Sequence, residues 1–127
     1  MKKVLDTAQL HFEHQVWSKE LSFFADEIKI YENRLSDLVS GSNNKEMLAG
    51  LEHFQNQFIR QKEVLDQLDR NIRVHEQHLA GLAAKNMESA PSDSGVQETM
   101  REEMNQFRKI YSELKTEFFK FMGKWMN

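Results

Sequence analysis

The stretch Leu10–Leu38, "LHFEHQVWSKELSFFADEIKIYENRLSDL", decides the fold. Leu10, His14, Trp17, Leu21, Phe24, Ile28, Tyr31, Leu35 and Leu38 follow one another at alternating spacings of four and three without a slip. Such spacing lines them up on one face of an α-helix and repeats every seven residues, the signature of long helices packed side by side. A half-buried strand needs strict alternation, which is nowhere sustained.

The same period runs through two further segments. One seam passes through Met47, Leu51, Phe54, Phe58, Gln61, Leu65, Leu68, Ile72, His75, Leu79 and Leu82. The other passes through Met100, Met104, Phe107, Tyr111, Leu114, Phe118, Phe121 and Trp125. Turn-forming clusters separate them: "SGSNN" from Ser40 and "NMESAPSDSG" from Asn86, the second holding the single proline, Pro91. Asp6 with Gln9, Asn43 with Glu46 and Ser94 with Gln97 are spaced for reciprocal capping boxes. Helices are therefore predicted over about 6–40, 44–84 and 94–126, with a linker at 85–94. Short connections make neighbouring helices antiparallel. The fold class that follows is all-α: a long antiparallel three-helix bundle, up-down-up, with coiled-coil-like heptad packing, in a single domain over 1–127. In length and heptads it resembles spectrin-type repeats and other long three-helix interaction modules, a likeness that carries over no site residue.

Composition narrows the function. The chain of 127 residues has no cysteine, which removes disulfides, thiolate metal sites and thiol catalysis and suits a reducing, cytoplasmic setting. A net charge of −3 with no basic patch argues against nucleic acid as a partner. No apolar run approaches the ~20 residues that span a bilayer, and the N-terminus lacks a signal-peptide core, so no membrane association is expected. No glycine-rich phosphate loop, nucleophile elbow or Ser-His-Asp ordering is present, and no enzyme is expected.

Two features remain as candidate sites. The first is a pair of His-x-x-His motifs, His11 with His14 and His75 with His78. In an antiparallel hairpin all four rings fall at one end of the bundle, where Glu103 of the third segment approaches. Imidazoles with a carboxylate suit zinc, and also iron or nickel. No glutamate stands three residues before any histidine, so the Glu-x-x-His pattern of di-iron bundles is absent. The alternative is structural: polar residues at seam positions fix register at some cost in stability, and Gln61 is a further example. On that view no cofactor is needed, and leucine at 14 and 75 would stabilise the fold. Clustered rings also titrate near pH 6.5, so acid should loosen that end.

The second feature is a second apolar stripe on the first helix, Phe12, Val16, Phe23 and Ile30, joined near the C-terminus by Phe119 and Met122. A surface of this kind suits a protein partner or a homodimer. The function expected is a non-catalytic protein-protein interaction or self-association module. The alternative is a small metal-binding bundle.

Overall fold

The structure, a computed structural model, describes residues 6–41 and 43–126. Three helices, α1 (Thr7–Val39), α2 (Lys45–Ala84) and α3 (Pro91–Trp125), make up almost all of it, with no strand among the described residues. At about 1.5 Å per residue they are roughly 50–60 Å long. The His14 ring lies 5.3 Å from His75, and the Tyr31 ring 5.7 Å from Phe58. One position rises as the other falls, so α1 and α2 are antiparallel. Glu13, Glu20 and Glu27 meet Arg101, Arg108 and Lys115, rising together, so α1 and α3 are parallel. The all-α three-helix bundle is the observed architecture, and no helix among the described residues is long and apolar enough to cross a membrane.

Local chemistry sets each boundary. Asp6 and Gln9 form the expected capping box: the Gln9 N–H donates to Asp6 Oδ1 at 2.8 Å, and the Asp6 N–H to Gln9 Oε1 at 3.2 Å. At α2 the cap is Asn44 rather than Asn43, and its Oδ1 accepts from the Met47 N–H at 3.1 Å. The C-terminal end of α2 closes in a Schellman turn. There the Met87 N–H reaches Leu82 O at 2.8 Å and the Asn86 N–H reaches Ala83 O at 3.1 Å. Asn86 takes φ 53°, a left-handed conformation that asparagine tolerates better than most residues.

The third helix departs from expectation. It begins at Pro91, three residues before Ser94, because a first-turn N–H has no intrahelical partner and proline loses nothing there. Ser94 and Gln97 consequently lie inside the helix rather than forming its cap. The Ala90 N–H is met instead by Asp93 Oδ2 at 2.7 Å.

The buried side chains follow the three predicted seams closely. Phe118 packs 4.9 Å from Tyr31 and 5.1 Å from Phe58, building an aromatic layer across all three helices. Towards the end of α3 the inward position passes from Phe121 to Met122. Met122, expected on a contact surface, is core. Both outer helices pack more closely on α2 than on each other. Where α3 leans on α2, the Phe121 ring lies over Gly50, and a Cβ there would stand 2.5 Å from a ring carbon.

Gly81, by contrast, sits exposed in α2 with open space where its Cβ would be. Gly81→Ala should raise stability by about 0.5–1 kcal/mol through helix propensity alone. Gly50→Ala should lack that gain because the Phe121 ring must move. Paired urea melts check both, and an equal gain at the two positions would show that the close approach is absent.

Candidate functional site

All four clustered histidines lie at the end of the bundle where α1 begins, α2 finishes and α3 begins. Each helix sends polar side chains inward there. His14 and His75 are buried on the seam, while His11 and His78 stand half exposed beside it. The motif His75-Glu76-Gln77-His78 also places a carboxylate between its rings. Glu76 takes both histidines of α1, one oxygen bonding His11 Nδ1 and the other His14 Nδ1.

The far side of the His14 ring meets α3. Its Nε2 lies 2.7 Å from Gln97 Oε1. The orientation of Gln97 is forced, since its amide nitrogen donates to Glu13 Oε1 at 2.8 Å and to Leu10 O at 3.4 Å, both pure acceptors. Gln97 Oε1 and Glu76 Oε2 likewise only accept, so the ring makes both bonds when each of its nitrogens carries a proton. Glu13 is in turn held by the Arg101 guanidinium, Nε at 2.8 Å and a terminal nitrogen at 2.7 Å, in a two-point grip. One buried ring thus joins all three helices.

The α2 histidines end on a different carboxylate. Asp93, nearly buried in the first turn of α3, sits 2.9 Å from His78 Nε2 and 3.4 Å from His75 Nε2 while accepting from the Ala90 N–H. His75 Nδ1 is buried without a hydrogen-bond partner among the described residues. Glu103, the carboxylate expected to complete a metal site, lines a groove between α2 and α3 beside His75 and His78, but the acids that meet the rings are Glu76 and Asp93. The two histidine pairs therefore converge on two separate points. No group of three or more His, Asp or Glu side chains that could hold a metal ion occurs among the described residues.

Electrostatics follow the bonding. Burial pushes the carboxyls of Glu13, Glu76 and Asp93 up, but their partners outweigh it and hold all three below the usual range. The partners are Arg101 and Gln97 for Glu13, His14 and His11 for Glu76, and the Ala90 N–H and His75 for Asp93. Burial lowers the pKa of His75, and its interaction with Asp93 offsets only part of this.

Beyond this end, α1 and α3 are stitched by charge. Glu13–Arg101, Glu20–Arg108 and Glu27–Lys115 recur every seven residues at 2.7, 2.6 and 3.1 Å. The Tyr111 hydroxyl adds a bond to Glu27 at 2.5 Å, and burial, then Glu27, drives its pKa far above the usual value. Seven residues on, the corresponding positions are Arg34 and Met122, so the ladder stops. The groove beyond it is lined by Ile30, Tyr31, Phe118 and Phe119.

The stripe of α1 is also in place. Phe12, Val16, Phe23 and Ile30 are between 48% and 66% exposed. Phe119 is exposed too, but on α3, edge-on to Tyr31 at 5.6 Å. No family model matches the chain, and no match emerges among curated proteins or solved structures.

Sequence reasoning missed Glu76, Asp93, Gln97 and the ladder. The signals were present. Taking Pro91 as the first helical residue extends the α3 seam back through Gln97 to Asp93 at the same three-four spacing. A constant offset between three glutamates and three cations spells out the ladder.

The two buried rings should respond oppositely to replacement. His14→Leu leaves Gln97 Oε1 and one Glu76 oxygen without their partner and should cost about 2–4 kcal/mol. His75→Leu removes a bare nitrogen and one long bond and should be neutral or stabilising. Chemical denaturation decides, and equal effects would show that the rings are equivalent.

The pH dependence follows by sign. A histidine with a lowered folded pKa contributes stability above its ordinary value of 6.5, and this is lost as pH falls below it. Carboxylates with lowered pKa contribute above their ordinary 4.5 (Glu13 and Glu76) and 3.8 (Asp93), and lose it as pH falls through the folded values. Melting should therefore decline in two legs on acidification, and His75→Leu should flatten the first leg while shrinking the second only by the part of the Asp93 contribution that His75 supports. A parent and variant with parallel profiles from pH 7 to 5.5 would refute the His75 assignment.

Proposed function

We propose that this chain is a non-catalytic interaction module whose contact surface is the outward face of α1. One observation carries it. Four large exposed apolar side chains, Phe12, Val16, Phe23 and Ile30, share one face of a helix whose opposite face is already committed to the core, with Lys19 and Asp26 interleaved among them. Single exposed apolar residues are ordinary on a soluble protein, and α2 has such cases in Ile59 and Val74, fifteen positions apart. A line of them down one helix is different, because its whole length can be covered by one partner helix.

The flanking charges support the same view. The α1–α3 ladder occupies Glu13, Glu20 and Glu27 on one side of the line, which fixes the rotation of α1 and keeps the apolar face outward. The buried polar end fits a register device: it joins the helices through hydrogen bonds and its carboxylates are already engaged. Catalysis needs a concave, water-limited site with convergent reactive groups, whereas the grooves here lie open between neighbouring helices.

The test separates contact surface from fold. Replacing Phe12, Val16, Phe23 and Ile30 together by glutamine or lysine should leave thermal stability within about 0.5 kcal/mol per site, as for ordinary surface changes. Ile28→Ala in the same helix should cost about 2–5 kcal/mol. Helical circular dichroism followed against temperature gives both values. If the multiple variant melts as low as the core variant, the line belongs to the fold and the proposal fails.

A further inference from the structure

We infer that the α1 face binds a second copy of this chain, with the two α1 helices antiparallel and a two-fold axis passing beside Phe23. This rests on the reading of α1 as a contact surface, and it adds the identity of the occupant and its direction.

The spacing comes first. Phe12, Val16, Lys19, Phe23, Asp26 and Ile30 alternate by four and three, so α1 carries a second heptad seam on its outside. Four of its six members are apolar. The other two, Lys19 and Asp26, are opposite in charge and flank Phe23 almost symmetrically. Both are exposed, and neither has an ion-pair partner among the described residues. On the other flank every acid from Glu13 to Glu27 is already paired with α3.

Those charges discriminate between directions. Two copies laid parallel and in register set Lys19 against Lys19 and Asp26 against Asp26, and like charges repel. Laid antiparallel about Phe23, each Lys19 comes alongside Asp26 of the second copy, so two ion pairs form. Val16 then meets Ile30, and Phe23 meets Phe23. Glu20 and Glu27 also face one another, but Arg108 and Lys115 already neutralise them. The seam complements itself in one direction only. A single helix face lies at the small end of specific interfaces, so the dimer should be of micromolar strength or weaker.

Sedimentation equilibrium on the intact chain, with a charge-swap series, tests this. The parent protein should dimerise reversibly, and Phe23→Lys should be monomeric, with melting unchanged at dilutions where the parent is also monomeric. Lys19→Glu and Asp26→Lys should each weaken the dimer by about tenfold, since each creates two repulsions per dimer. The double variant Lys19→Glu/Asp26→Lys restores both pairs with their signs exchanged and should recover the parent affinity. Because the chain has no cysteine, Phe23→Cys alone should cross-link on oxidation. Val16→Cys should cross-link only when mixed with Ile30→Cys. A strictly monomeric parent overturns the second copy as occupant, and leaves the contact-surface proposal to its own melting test. A dimer that survives Phe23→Lys overturns the location. A double variant no better than the singles, or self-linking of Val16→Cys, overturns the antiparallel direction.

Discussion

A buried imidazole bonded on both sides organises this molecule. The His14 ring sits between a carboxylate of α2 and an amide of α3, and that amide is tied back to α1 through Glu13 and the Leu10 carbonyl. Apolar seams alone are tolerant of sliding, because one leucine layer resembles the next. A directional bond to a buried polar group is not tolerant, since a shift of one turn strands it in a low-dielectric interior. With Gln97 docked on His14, the axial position and rotation of α3 relative to α1 are set, and the glutamates and cations further along come into line.

Such an arrangement has an energetic cost. A bundle end filled with leucine would bury more apolar surface and need no desolvated carboxylates. The structure shows where the cost is offset and where it is not. His14 and Asp93 have well-placed partners, whereas one nitrogen of His75 has none among the described residues. The pair His14 and His75 looks symmetric in sequence but is unequal in the fold, because α3 gives the His14 ring an amide hydrogen bond at 2.7 Å and the His75 ring a carboxylate contact at 3.4 Å.

The α1–α3 ladder has a second consequence, for the outside of the molecule. By holding Glu13, Glu20 and Glu27 toward α3 it uses up the charge on one flank of the outer stripe. Phe12, Val16, Phe23 and Ile30 remain uncovered in the single chain, with Lys19 and Asp26 the exposed charges interleaved among them. Constraint inside and availability outside come from the same heptad repeat, read on two faces of one helix. The proposed self-contact depends on that coincidence.

The sequence by itself determined three helices, their seams and their up-down-up order, because a three-four spacing of large apolar residues has one compact solution and the turn clusters leave little freedom. It also determined that four histidines share one end, with His14 and His75 inside and His11 and His78 aside. The tertiary structure alone decided which groups meet them. Glu103 was a reasonable carboxylate from position along α3, but helix rotation and an earlier start at Pro91 bring Asp93 and Gln97 inward and leave Glu103 on a groove wall. Met122 moved from surface to core for a similar reason, as the inward face of α3 shifts by one residue near its end. Periodicity specifies which face of a helix is buried, whereas a hydrogen bond depends on ångström-scale placement of two faces at once, and only the assembled bundle supplies that.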